Sequence, residues 1–345
     1  MPKLMSEQAS KAFEALRGDP DVFICASTEI KAENNIQNTK LRAYAYGGCM
    51  AEIPPVQSNF QVTLLDKEYD KYFEPDFATR VSSARSLKES DKVDLLVEPE
   101  SRKAIKAGME RWSDGKTFNG ESTKSNRERR CEQRIAQRHN SSKNGSNYVV
   151  FDMESSIHLK APDKNAKMDL VAIDAYRYPD VTLAFIEYKC TESGLQNGNS
   201  SMASHYNDMS KFATTNTFDT RSEQEIIVLK SLFARFNMMH KLKLIDNCLP
   251  DGVEEIDYEQ CKVTIKPMIL FLCTLDEAKK DISGYLINRA EEMVIQSNPN
   301  GESNVRFILA DSCDSVIIQD SALLTYGQFI EEAERLKSQR TNRKS

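Results

Sequence analysis

Three aspartates, one glutamate and two lysines lie within or beside two apolar runs in KMDLVAIDAYRYPDVTLAFIEYKC, residues 167–190. A Pro-Asp pair separates the runs, and Glu-Tyr-Lys closes the second run. Carboxylate oxygens are the ligands that Mg²⁺ prefers in proteins, and an ammonium group offsets the charge of neighbouring carboxylates. The segment therefore holds the residue types of a divalent-metal site, provided that the fold brings the right ones together.

The spacing of the apolar residues predicts two antiparallel strands joined by a turn at Tyr178–Val181. In that register Asp169 lies near Lys189 and Cys190, within a residue or two of Glu187. Glu187 and Lys189 are two residues apart in one strand, so their side chains project from the same face. Asp169, Glu187 and Lys189 are therefore predicted to converge at the open end of the hairpin.

The other two aspartates are predicted to lie farther from Glu187. Asp174 is displaced by about 7 Å along the strand, and Asp180, at the turn, by more than about 20 Å. Only Asp169 can then share a metal ion with Glu187. The alternative is a hairpin at the edge of a sheet whose charges only form salt bridges, since charged groups within LAFIEYKC need partners if they are buried.

The elements around the hairpin predict the α/β class. Parallel and antiparallel strands are expected in one mixed sheet, as in α+β folds. A helix at about 126–139 precedes YVVFDMESSIHL, whose alternating pattern predicts a strand. Helices at about 200–214 and 222–244 follow the hairpin, and KPMILFLCTL is typical of a strand buried on both faces. We expect a central mixed β-sheet flanked by helices over residues 116–345, preceded by an accessory α+β region of unknown role at residues 1–115.

This order of elements resembles the PD-(D/E)xK nuclease superfamily. The resemblance covers roughly residues 126–275, where Asp169 matches the first acid of that family, Glu187 the second acid and Lys189 the lysine. Met168 stands where the family has proline, and the literal Pro-Asp pair of the chain falls in the turn. The resemblance implies a restriction-endonuclease-like core and metal-dependent hydrolysis of phosphodiester bonds in nucleic acid. DNA is the favoured substrate, and RNA stays an open alternative.

The resemblance also implies a role for each residue of the hairpin. Asp169 and Glu187 would hold Mg²⁺ or Mn²⁺, helped by the backbone carbonyl of Tyr188. Such an ion polarises the phosphate and lowers the pKa of the attacking water. Lys189 would orient that water, or help to deprotonate it, and offset the developing charge.

A further catalytic acid is implied on the helix that precedes the core, because many members of the superfamily carry a glutamate there. Glu132 is the best match on this helix. Glu128, one turn earlier, and Glu154, on the polar face of the following strand, are the alternatives.

A run of basic residues occupies the same helix. KSNRERRCEQRIAQRHNSSK, residues 124–143, holds seven Lys or Arg and two Glu. Such a run can bind phosphate, or it can be a solvated helix face with ion pairs between successive turns. The helix after the Glu-x-Lys strand presents further polar residues opposite its apolar stripe. The candidate nucleic-acid contacts are Arg129, Arg130, Arg134, Arg138, His205 and Lys211.

Composition narrows the function classes. Of the 345 residues, 40% are hydrophobic and 28% charged, the net charge is −6, and no apolar run is long enough for a membrane helix. The eight cysteines are scattered without a Cys-x-x-Cys pair, so a structural zinc site is not indicated. We expect a cytoplasmic enzyme with a nucleic-acid partner and no membrane contact, dimeric if it cuts both strands of a duplex. The rival interpretation is an inactive nuclease-fold module that binds nucleic acid or a protein.

Overall fold

A computed structural model of the chain describes residues 5–30, 36–54, 61–140, 145–157, 166–189, 205, 209, 215–217, 223–246, 248–272, 305–310 and 312–343. The chain forms two compact units, one of residues 1–29 and 35–133 and the other of residues 30–34 and 134–345. The division falls within helix α5 (Arg127–Arg138), later than the boundary that the sequence predicts after residue 115. The functional boundary stays a prediction.

The first unit is built on a four-stranded sheet with helices around it. The strands, in the spatial order β1-β2-β3-β4, are β1 (Val22–Ile30), β2 (Ile36–Ala45), β3 (Gly48–Ile53) and β4 (Thr63–Leu64). The helices before α5 are α1 (Glu7–Arg17), α2 (Pro75–Arg85), α3 (Glu89–Val97) and α4 (Pro99–Asp114). Helices α2 and α3 have no counterpart in the sequence prediction.

Local sequence signals explain where the helices of this unit begin and end. Ser6 caps α1 by accepting a hydrogen bond from the Ala9 N–H (3.1 Å). Pro99 opens α4, where the missing N–H costs nothing, and Gly115 ends it in the left-handed conformation (φ 68°). These signals are short-range, because each lies within one turn of the helix end that it defines.

The second unit contains a six-stranded mixed sheet. Its strands are β5 (Val149–Ile157), β6 (Ala166–Asp174), β7 (Asp180–Lys189), β8 (Thr215–Thr217), β9 (Lys262–Leu272) and β10 (Arg306–Ala310). The order is β10-β9-β7-β6-β5, with β8 paired to β9. Strands β5, β6 and β7 pair antiparallel, whereas β7, β9 and β10 pair parallel. The mixed α/β class predicted for this part of the chain is confirmed.

Two helices pack against this sheet through aromatic contacts. Helix α6 (Glu223–Lys241) contacts β5 where Phe236 meets Phe151 edge to face at 5.8 Å. Helix α7 (Tyr326–Arg343) contacts β10 where Phe329 stacks on Phe307 at 4.7 Å. Of the helix predicted at about 200–214, only residues 205 and 209 are described, and both are helical.

A buried ion pair also ties α6 to β5. Arg235 contacts the Asp152 carboxylate and donates a hydrogen bond to Ser155 Oγ (2.8 Å). All three residues are at most 3% exposed. A buried charge is tolerated only with a partner, so this contact fixes the position of the helix on the strand.

Gly108 has a packing role that can be tested. It lies inside α4, where an added Cβ would stand 2.0 Å from Cε1 of the buried Phe73 ring. We expect Gly108→Ala to lower the free energy of unfolding by about 1–3 kcal/mol through overpacking. Alanine itself stabilises a helix by about 1 kcal/mol over glycine. A lower free energy of unfolding in Gly108→Ala would therefore have to come from the steric conflict.

Gly327→Ala in α7 is the matched control, because no described atom lies within 4 Å of its added Cβ. It should leave the stability unchanged or raise it by less than about 1 kcal/mol. Urea unfolding followed by circular dichroism measures both variants. Equal free energies of unfolding for Gly108→Ala and Gly327→Ala would show that the Phe73 ring moves away from the added Cβ without loss of stability.

Candidate active site

The ladder between β6 and β7 places the two predicted metal ligands opposite each other. Leu170 pairs with Ile186 in antiparallel register, so the next position along the ladder brings Asp169 opposite Glu187. Directly opposed residues of neighbouring strands project from the same face of a sheet, and so do residues two apart in one strand. Asp169, Glu187 and Lys189 therefore share one face.

The turn of the hairpin differs from the prediction. It occupies residues 175–179, and β7 begins at Asp180, whereas the sequence predicts a turn at Tyr178–Val181. The cause is Asp174, whose carboxylate accepts a hydrogen bond from the Tyr176 N–H (3.3 Å) and so ends β6 early. The predicted register is wrong for this reason. In the observed register Asp169 lies directly opposite Glu187.

Asp174 and Asp180 lie at the turn end of the hairpin. Asp174 also accepts a hydrogen bond from Asn147 Nδ2 (2.8 Å), which gives its carboxylate a structural role. Asp180 is the first residue of β7 and Glu187 is near its last, so about 20 Å of extended strand separates them. Neither aspartate belongs to the group around Glu187.

Lys189 joins the two carboxylates at the open end of the hairpin. Its Nζ contacts Glu187 Oε1 directly and lies 3.7 Å from Asp169 Oδ2. Asp169 is 8% exposed, Glu187 0% and Lys189 7%. With two carboxylates to one ammonium, this acid–lysine cluster (Asp169, Glu187 and Lys189) has a net negative formal charge, which a divalent cation would balance.

The two oxygens of Asp169 have different surroundings. Oδ2 accepts a hydrogen bond from the Tyr188 N–H (2.8 Å) and faces the Lys189 ammonium. Both of the contacts described for the Asp169 carboxylate thus fall on Oδ2. A carboxylate held through one oxygen presents the other in a defined direction. The role of Asp169 as a metal ligand stays a prediction.

His205 also meets this cluster. Its Nε2 lies 3.4 Å from Glu187 Oε1, the oxygen that Lys189 contacts, and its side chain is 16% exposed. The sequence predicts His205 as a contact to nucleic acid, and that role stays a prediction. The sequence places His205 on the helix after β7, but it does not predict that the imidazole lies next to Glu187.

The predicted further acid, Glu132, is 2% exposed on α5 and belongs to the first unit. Its catalytic role stays a prediction. Glu154 lies in the second unit, where Met153 pairs with Leu170 and Ser155 with Met168, so Glu154 falls opposite Asp169. Its φ of 55° is rare for a residue with a side chain, and its carboxylate pairs with Lys167 at 3.0 Å.

The arginines at the start of α5 have partners within the first unit. The Arg130 guanidinium stacks over the Tyr46 ring at 4.7 Å and lies 3.5 Å from Glu110 and 3.6 Å from Asp114. Arg129 lies over the Trp112 ring at 5.9 Å. A phosphate would have to compete with these contacts, so the predicted role of both arginines in binding nucleic acid stays a prediction.

The remaining predicted contacts belong to the second unit. Arg134 forms an ion pair with Asp314 in which both side chains are about half exposed, 49% and 58%. Such pairs contribute little, about 0–1 kcal/mol, so Arg134 can exchange its partner for a phosphate at low cost. Arg138 is half-buried in the last turn of α5, and Lys211 lies outside the described residues.

The other described histidines have structural surroundings. His139 is 0% exposed, its Nδ1 lies 2.8 Å from the Ile135 carbonyl oxygen, and burial lowers the pKa of its imidazole. His240 stacks on Phe236 at 6.1 Å, with Nδ1 3.1 Å from the Glu254 carbonyl oxygen. Neither contacts the acid–lysine cluster in the described part of the chain.

The acid–lysine cluster fits a hard divalent cation by its chemistry. Within the described residues, no group of three or more His, Cys, Asp or Glu side chains could hold a metal ion. The ligands that the resemblance implies are two carboxylates, from Asp169 and Glu187, and the Tyr188 carbonyl. Mg²⁺ commonly binds through one or two carboxylates and keeps several waters, so this set suits Mg²⁺ or Mn²⁺.

Comparison of the chain with protein-family models, with curated proteins and with solved structures gives no match. No helix among the described residues is long and apolar enough to cross a membrane. The chemistry of the site must therefore be argued from its own residues.

The stability of the cluster depends on Lys189. We expect Lys189→Met to lower the free energy of unfolding by about 3–5 kcal/mol, because it leaves two buried carboxylates without their ammonium. Lys167→Met is the matched control on the neighbouring strand, since Lys167 pairs with Glu154 but is 51% exposed. It should cost less than about 1 kcal/mol.

Urea unfolding in EDTA, which excludes metal ions, measures both lysine variants. A Lys189→Met protein as stable as the Lys167→Met protein would show that the ammonium does not hold the two acids.

Proposed function

We propose that the second unit is a nuclease of the PD-(D/E)xK type that uses Mg²⁺ or Mn²⁺ to hydrolyse phosphodiester bonds, in DNA rather than RNA. The observation that carries the proposal is the contact of Lys189 with both Asp169 and Glu187 on one buried face. Hairpin charges that serve only as surface salt bridges need no such burial. Two acids and a lysine are the residue types that this hydrolysis requires.

The order and pairing of the elements support a restriction-endonuclease-like core. Helix α5 is followed by the antiparallel strands β5, β6 and β7, with the first acid on β6 and Glu-x-Lys at the end of β7. Strand β9 then lies parallel to β7, beyond the crossover that includes α6. This is the succession on which the resemblance rests.

The residues of the cluster divide the chemistry between them. Asp169 and Glu187 would hold the ion, with the Tyr188 carbonyl, and the ion would supply electrophilic activation of the phosphate and of the attacking water. Lys189 lies between the two acids, where its ammonium can donate a hydrogen bond to that water and offset negative charge developing on the phosphate. Burial strengthens both interactions because solvent does not screen them.

The proposal predicts metal-dependent cleavage that depends on one particular aspartate. Asp169→Asn should abolish cleavage, because the amide keeps the shape of the side chain and removes the charge of a ligand. Asp180→Asn, at the far end of β7, should leave near-normal activity. Asp174→Asn should give a mild defect, because it weakens the turn contacts to Tyr176 and Asn147.

The assay uses circular and linear DNA and RNA with Mg²⁺, Mn²⁺ or EDTA, and circular dichroism confirms that each variant is folded. Cleavage that persists in EDTA would exclude the metal mechanism. Retained activity in Asp169→Asn with loss in Asp180→Asn would exclude this site. A protein that binds nucleic acid but cleaves none of the substrates would instead support the inactive module.

A further inference from the structure

His205 brings a second nitrogen to the same carboxylate oxygen that Lys189 contacts. The His205 Nε2 to Glu187 Oε1 distance is 3.4 Å, and Lys189 Nζ reaches Oε1 from β7 itself. The Glu187 side chain is 1% exposed and the imidazole 16%. Two nitrogens on different elements thus converge on one oxygen in a place that water hardly reaches.

We infer that His205 is a positioning residue for Glu187 and acts through its Nε2–H. The inference rests on the proposed metal site and deepens it, because the histidine fixes the orientation in which Glu187 meets the ion. Lys189 is two residues from Glu187 in the same strand, so its ammonium moves with that strand. His205 holds the carboxylate from a separate helical segment.

The physical effect is to remove freedom from the carboxylate before an ion arrives. A glutamate has three side-chain torsions, and an ion that must order them loses part of its binding free energy. Groups that hydrogen-bond a metal-ligating residue typically contribute 10- to 100-fold in metal affinity. His205 would supply this contribution without contacting either the ion or the phosphate.

A direct contact of His205 with phosphate is the competing role. The imidazole is 16% exposed, and its Nε2 lies 3.4 Å from a carboxylate oxygen. A phosphate bound to this nitrogen would have to replace the Glu187 oxygen as its partner. The geometry therefore favours the role in positioning, and the two roles differ in what they do to metal binding without nucleic acid.

The test measures Mn²⁺ affinity by electron paramagnetic resonance of the free ion, with the full chain and no nucleic acid. His205→Leu removes the donor and should weaken Mn²⁺ binding about 10- to 100-fold. His205→Gln keeps an N–H donor at a similar reach and should restore the affinity to within about threefold of the wild type. His205→Ala replaces His205→Leu if the leucine variant does not fold.

His240→Leu is the matched control, because His240 is a histidine of the second unit that contacts Glu254 and Phe236 instead of Glu187. Its Mn²⁺ affinity should equal that of the wild type. In cleavage assays His205→Leu should lower kcat at limiting Mn²⁺ and leave KM for nucleic acid unchanged.

Each contrary outcome is distinct. Unchanged Mn²⁺ affinity in His205→Leu, with a raised KM for nucleic acid, would overturn the positioning role and establish the phosphate contact. Weakened binding that His205→Gln does not restore would also overturn it, since the donor would not be the cause. If the wild-type protein binds no Mn²⁺, the proposed metal site fails and this inference fails with it.

Discussion

The second unit depends on one electrostatic constraint, the burial of Asp169 and Glu187 around the ammonium of Lys189. Burying an ion costs several kcal/mol unless its partners restore what water provided. Strand β7 lies between β6 and β9, and the side chains of Glu187 and Lys189 are almost fully shielded from solvent. The charges must satisfy one another or bind a ligand. This constraint explains why a site forms at this end of the hairpin, whereas the aspartates at the turn can reach water.

Local patterns in the sequence were enough for the part of this site that lies within one strand. A period of two puts Glu187 and Lys189 on one face of β7 whatever the turn does. The register between β6 and β7 was harder to predict from the sequence, because it depends on where β6 ends. A side-chain hydrogen bond from the Tyr176 N–H to Asp174 decides that point, and the Pro-Asp pair misleads a prediction based on turn residues. The choice of Asp169 survived because the other aspartates are too far along the strands for either register to bring them to Glu187.

Contacts between segments that are distant in the chain could not be predicted from the sequence. Helix α5, with its run of basic residues, shows why. The run on α5 shows charge, but it does not show that Glu110 and Asp114 lie beside Arg130, or that Tyr46 stacks on its guanidinium. Gly47 permits that stacking: an added Cβ would stand 2.5 Å from the backbone of α5, so only glycine lets the β2–β3 turn come so close. One-dimensional charge patterns overestimate the positive charge available to a ligand when the acids that neutralise it lie elsewhere in the chain.

A row of acids crosses the sheet next to Lys189. Glu154, Asp169 and Glu187 lie opposite one another on β5, β6 and β7, and β5 is the edge strand. Of the two lysines beside these acids, Lys167 is 51% exposed and Lys189 is 7% exposed. The Glu154 and Asp169 side chains are equally buried, each 11% exposed, so Lys167 is the one charged group of this row that is well exposed to water among the described residues. Glu154 holds a backbone conformation that costs about 1–3 kcal/mol and persists only where the surroundings impose it.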